Sequence, residues 1–239
     1  MDTRKLLAEA VGTFVLVGVG SMAILSASLS QMPALLTVPF GFGLALMAAI
    51  AISGHVSGGH FNPAVTVGAW LDRRIELGEG IGYVVAQLVG AIAASGMMLG
   101  LTNQGAVAAT RTLPGDTDLL AFAVETVLTA VFIAVILTVT KRNGSQAGFI
   151  IPITLVVIHF AGIPFSGASV NPARSLAPAL VGADLSSIWV YLTAPFLGAI
   201  IGWIVFRALD GGDDATEAAA MDEEPERDAM DEEPESDAA

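Results

Sequence analysis

The 239-residue chain contains no cysteine. That excludes a disulfide framework, a thiolate nucleophile, a Cys-based metal site and any thiol a mercurial could bind. Histidine is scarce, and His55, His60 and His159 show no metal-ligand spacing with carboxylates. Charge is scarce too: charged residues are 14% and hydrophobic residues 54% of the chain. The first value lies well below, and the second above, the usual range of soluble domains. Basic residues occur singly or in short pairs, which gives no footprint for nucleic acid. No nucleophile–base pair, phosphate loop or metal cluster is legible, so the sequence points to no enzyme and calls for no cofactor.

The formal net charge of −13 is not spread along the chain. Residues 209–239 hold 14 of the 23 acids and one of the 10 bases, Arg227, which leaves 9 acids and 9 bases in residues 1–208. The body is therefore neutral. The acidic tail repeats Asp-Glu-Glu-Pro-Glu after Met221 and again after Met230. It has no apolar face, and its composition predicts a disordered, solvated segment.

What the body has instead is length in apolar runs. Six spans, roughly 6–28, 34–53, 80–101, 119–140, 147–163 and 186–207, approach the roughly 20 residues a helix needs to cross a bilayer. The first follows Arg4 and Lys5 but is longer than a signal core and contains Glu9, so it reads as a retained helix. Two further stretches, 62–71 and 171–181, are too short to cross.

Both short stretches begin with the same motif. Ser57-Gly58-Gly59-His60-Phe61-Asn62-Pro63-Ala64 recurs as Ser166-Gly167-Ala168-Ser169-Val170-Asn171-Pro172-Ala173, 109 residues later (171 − 62). Asn followed by Pro starts a helix: Asn caps it, and Pro suits a first position whose N–H is not needed. If each Asn oxygen accepts from the first turn, its NH2 is left as an outward donor at the positive end of a short helix. Two ten-residue half-helices end to end cover about 30 Å, one hydrocarbon thickness. That favours two re-entrant segments meeting at mid-membrane.

The repeat extends further. Ala8-Glu9-Ala10-Val11 matches Val124-Glu125-Thr126-Val127, and Gly90-Ala91-Ile92 matches Gly198-Ala199-Ile200. Each half, about 1–103 and 117–208, has three spans and one re-entrant segment, and an odd number makes the halves inverted. The fold class expected is an all-α membrane protein of six transmembrane helices plus two re-entrant half-helices. Gly18, Gly20, Gly90, Gly96, Gly198 and Gly202 fit close helix crossings. Arg4, Lys5, Arg73, Arg74, Lys141, Arg142 and Arg207 fall on one side, which the positive-inside rule makes cytoplasmic, with both termini.

These motifs resemble those of the aquaporins, the major intrinsic protein family. Gly54-His55-Val56-Ser57-Gly58-Gly59-His60-Phe61-Asn62-Pro63-Ala64-Val65-Thr66 and Asn171-Pro172-Ala173-Arg174-Ser175 look like its two pore loops, and the resemblance covers roughly residues 4–208. It implies a passive channel in the cell membrane with water as permeant, assembled as a homotetramer in the lipid bilayer. It also implies a constriction of Phe42, His159, Ala168 and Arg174. His159, Ser175 and Ala179 look like the water-selective members, while Ala168 is smaller and less polar than the residue often found there. An intramembrane Arg is costly and functional by default, which fits this reading of Arg174. The backbone carbonyls of Gly58, Gly59, His60, Gly167, Ala168 and Ser169 would form an extended ladder of acceptors for single-file water. Glu9 and Glu125, with help from Gln87, are read in the family as carboxylates that hold the loops. A proton relay is the alternative for the two acids. The competing functions are a small-solute channel for glycerol, ammonia or dissolved gas, and an alternating-access transporter.

Overall fold

The computed structural model describes residues 2–211. Among them there is no β-strand, and six helices are long and apolar enough to cross a membrane. Helix α1 is Thr3–Ser30, started by the Asp2 side chain, which accepts from the Arg4 N–H. Helix α2, Ala34–Ala49, runs on through a π-helical turn, Ile50–Gly54, to His55–Ser57. The half-helix α3, Pro63–Leu71, follows. Helix α4 is Leu77–Leu101, and a short helix α5, Gln104–Ala108, lies in the connection that follows it. Helix α6 is Asp118–Arg142, α7 is Ala147–Ser166, the second half-helix α8 is Pro172–Val181, and α9 is Ile188–Asp210.

The spans expected from the sequence are all present; most run a few residues longer at one or both ends, and the last begins at Ile188, two residues later than expected. The sequence missed α5 because five residues carry no helical period. The acidic tail from residue 212 onward lies outside the described residues.

Large apolar side chains such as Leu7, Val85, Val127, Val157 and Ile204 stand on the outer faces of the long helices. In water so large an apolar surface would drive association. In a bilayer it is the solvated face, and the polar backbone is satisfied inside each helix.

Close crossings tie the two halves to one pattern. A Cβ on Gly90 would collide with the Ala10 carbonyl of α1, and one on Gly198 with the Thr126 carbonyl of α6. Ala10 and Thr126 are repeat equivalents, as are Gly90 and Gly198, so each half crosses its first and third helices at the same glycine. Gly20 yields to the Phe42 ring, and Gly202 to the Ala130 carbonyl. Gly18 is in ordinary contact with the Ala94 side chain, at 3.6 Å. Gly96 departs from expectation: it is exposed, with nothing within 4 Å of a Cβ, because it falls on the outer face of α4.

Candidate functional site

The two half-helices meet head to head. Asn62 and Asn171 cap them, each with extended backbone, and Pro63 and Pro172 take the first helical positions. The Asn62 side-chain oxygen accepts from the Ala64 N–H at 2.8 Å. That of Asn171 accepts from the N–H groups of Ala173 at 3.0 Å and Arg174 at 3.3 Å. The amide NH2 groups then cross over. Asn62 Nδ2 donates to the Val170 carbonyl at 2.8 Å, and Asn171 Nδ2 donates to the Phe61 carbonyl at 3.0 Å. Phe61 and Val170 are equivalent residues, so the contact is reciprocal, as a two-fold relation between the halves requires. The sequence reading left both NH2 groups wholly free. In the structure one N–H of each is spent on the other loop, and one remains.

The loops before each Asn are not the extended ladder that the glycines suggested. Gly58, Gly59 and Phe61 have φ of 91°, 71° and 50°. Gly167, Ala168 and Val170 repeat this at 79°, 50° and 47°. The same three positions in each half are left-handed. At Ala168 and Val170 this conformation costs on the order of 1–3 kcal/mol each and needs outside support.

Glu9 and Glu125 supply that support. Glu9 accepts from the Ser57 hydroxyl at 2.7 Å, the N–H groups of His60 at 3.0 Å and Phe61 at 2.7 Å, and Gln87 Nε2 at 2.7 Å. Glu125 accepts from the Ser166 hydroxyl at 2.8 Å and the N–H groups of Ser169 and Val170, both at 2.7 Å. Both side chains are fully buried.

Two further residues hold the loops and were missed from the sequence. Tyr83 donates its hydroxyl to the Ser57 carbonyl at 2.8 Å, and Tyr191 to the Ser166 carbonyl at 2.7 Å. They are the only tyrosines in the chain and lie 108 residues apart (191 − 83), the same offset as Gly90 and Gly198. That coincidence was the available signal.

The halves differ at one support. Gln87 also donates to Thr66 Oγ1 at 3.0 Å, and Thr66 contacts His60 Nδ1 at 3.1 Å. The position 108 residues after Gln87 is Pro195, which has no amide to offer. There a chain of hydroxyls replaces it: Ser169 meets Ser175, and Ser175 meets Thr112.

A cavity of about 300 Å³ runs past this junction. Gly58, Gly59, His60, Asn62, Ser169, Val170, Asn171 and Arg174 line it on the loop side. Leu16, Leu46, Phe132, Ile133 and Leu155 form its apolar wall, and Phe42 and His159 also face it. Gly167 and Ala168 do not line it. Ala168 is fully buried instead, in the apolar core, and closes on Gly162.

Phe42, His159 and Arg174 come together. The Phe42 and His159 rings stack at 4.9 Å between centroids, 15° apart, and the Arg174 guanidinium carbon lies 4.7 Å from the Phe42 centroid. All three are buried. His159 Nδ1 sits 2.9 Å from the Leu155 carbonyl. A carbonyl can only accept, so Nδ1 carries the proton and Nε2 of the neutral ring is an acceptor. Arg174 Nη1 donates to the Thr110 carbonyl at 3.2 Å, and Arg174 Nε remains a free donor. Nε2 of His159 and Nε of Arg174 are buried and make no hydrogen bond among the described residues. The pair thus offers one acceptor and one donor.

Six membrane-length helices in two halves, with paired half-helices capped by asparagine, define an integral membrane channel protein. The profile of the major intrinsic protein family matches residues 1–206, and the chain belongs to that family. It is similar to the glycerol uptake facilitator protein-like 6 of Lactiplantibacillus plantarum, with 39% identity over 88% of this chain and 100% of the relative. It is similar to nodulin-26 of Glycine max, with 41% identity over 84% of this chain and 76% of the relative. It is similar to aquaporin Z of Rhodopseudomonas palustris, with 37% identity over 87% and 94%. Among solved structures it resembles the aquaglyceroporin of Plasmodium falciparum, with a TM-score of 0.77 and 25% identity, covering 85% of this chain and 95% of that one.

Proposed function

We propose that this channel conducts water passively in single file and excludes protons and ions. The observation that carries the reading is the convergence of Phe42, His159 and Arg174 on one point of the cavity. Two rings and a guanidinium leave room for a small permeant only. A water molecule there meets the Arg174 guanidinium and the His159 ring, polar groups that can replace bonds it loses on leaving bulk water. A polyol has no comparable gain once its carbon chain must pass the stacked rings.

Proton exclusion rests on the junction of the half-helices. The remaining N–H of Asn62 and that of Asn171 are both donors, so a passing water turns its oxygen toward them. It then cannot accept from a neighbouring water, as a proton wire needs. The positive ends of α3 and α8 add potential against cations. The carbonyls of Gly58, Gly59, His60 and Ser169 serve as acceptors on the approach. The chain would sit in the cell membrane with both termini in the cytoplasm, as a homotetramer with one passage per protomer.

A second reading is a channel for small neutral solutes, favoured by the 39% identity to a relative named for glycerol uptake. Stopped-flow light scattering on proteoliposomes separates the two. A sucrose gradient is expected to give rapid shrinkage. A glycerol gradient is expected to give the same shrinkage with re-swelling no faster than in empty liposomes. Fast re-swelling would establish the second reading instead.

A further inference from the structure

We propose that Thr110–Thr112 is a strap that sets the position of Arg174, latched by the Arg111–Asp184 ion pair and the Thr112 hydroxyl. The inference rests on the reading of Arg174 as part of the constriction. Three consecutive residues in the connection between α4 and α6 each grip α8 or the turn after it. Thr110, fully buried, gives its carbonyl to Arg174 Nη1 at 3.2 Å. Thr112 Oγ1 meets Ser175 Oγ, on the residue after Arg174. Arg111 pairs with Asp184 and donates from Nη1 to the Ser186 carbonyl at 3.3 Å. The start of the half-helix and the turn beyond its end are thus held by one short segment.

Both ends of the latch are themselves fixed. Asp184 Oδ1 accepts from the Ser186 N–H at 3.0 Å and its hydroxyl at 2.6 Å, which leaves Oδ2 for Arg111. The Ser186 bonds, aided by the Arg111 charge, hold the Asp184 carboxyl below the usual range, so the pair is charged at neutral pH. The strap is anchored again where the Gly115 N–H donates to the Phe165 carbonyl at 2.9 Å, on α7.

The consequence is specific. A guanidinium with Nε unpaired rests on the Phe42 ring and on one backbone carbonyl, and that carbonyl is kept in place by contacts outside the cavity. Loosening the latch changes which solutes pass, through Arg174, without altering any residue that lines the passage. Arg111 and Thr112 are positioning residues in this sense.

The test measures the ratio of glycerol to water permeability in proteoliposomes for four proteins, with tetramer and yield checked by gel filtration. Arg174→Val is expected to raise the ratio most. Arg111→Gln is expected to raise it about two- to fivefold, the scale on which a partly exposed ion pair acts. The exchange Arg111→Asp with Asp184→Arg is expected to bring it back toward wild type. If Arg174→Val raises the ratio while Arg111→Gln does not, or the exchange fails to restore it, the strap is wrong and the constriction stands. If Arg174→Val leaves the ratio unchanged, the constriction reading itself falls, and the strap with it. Should Arg111→Gln not assemble, Thr112→Val and Thr112→Ser decide. Valine keeps the volume and loses the hydroxyl, so it is expected to raise the ratio while serine keeps it at wild type. Equal ratios for the two would overturn the proposal.

Discussion

Glycerol permeability is expected to rise at least about tenfold when His159→Ala and Arg174→Val are combined, while water flow persists. A tenfold change corresponds to about 1.4 kcal/mol off a barrier. The expectation follows from what the two side chains occupy. His159 is one face of a ring stack, and Arg174 lies over the other ring. Their removal leaves Phe42 alone at that level and takes away a fixed positive charge. The Asn62 and Asn171 junction is untouched, so the passage for water remains. Cation leak is expected to increase as well, because part of the barrier is electrostatic. A folded double mutant that still rejects glycerol and urea as the wild type does would place the size limit elsewhere along the cavity.

The second large effect is expected from Glu9→Gln. Glu9 accepts four hydrogen bonds, two on each oxygen. A glutamine keeps one oxygen and turns an NH2 toward the other donors. Two buried donors are then left facing a donor, at about 1–3 kcal/mol each. The loop also loses what offsets its left-handed residues, Gly58, Gly59 and Phe61. The sum, about 2–6 kcal/mol, is a large share of the 5–15 kcal/mol that typically separates folded from unfolded protein. Thermal stability in detergent is expected to fall by roughly 10 °C, at 2–4 °C per kcal/mol for a chain of this size. Folded yield is expected to fall with it. A Glu9→Gln protein that keeps wild-type stability and changes only proton movement would favour the relay reading of the carboxylates over the supporting one.

The half-helices were legible because Asn-Pro carries a mechanism that needs no tertiary context: a cap, a missing N–H and a fixed φ. The long helices were legible from apolar length alone. The expected carboxylates Glu9 and Glu125 stood out as acids in apolar runs at matched repeat positions. What the sequence concealed lies where tertiary geometry decides. The left-handed residues Phe61, Ala168 and Val170 carry side chains that argue against that conformation, and only the carboxylates and tyrosines around them make it tolerable. The reciprocal bonds of Asn62 and Asn171 need both loops in place before either partner carbonyl exists. The His159 tautomer depends on the Leu155 carbonyl one turn earlier, which a residue name cannot show. Gly96 read as a crossing glycine because composition does not say which face of α4 it occupies.

The most direct test of the central claim is to record water and proton flux in the same proteoliposomes. Water flow is measured by stopped-flow light scattering, and proton flux by a pH-sensitive dye trapped inside under an imposed pH gradient. The account predicts shrinkage well above that of empty liposomes together with a dye response no faster than theirs. Confirmed insertion with no gain in water flow, or a pH gradient that collapses as water flow rises, would contradict it.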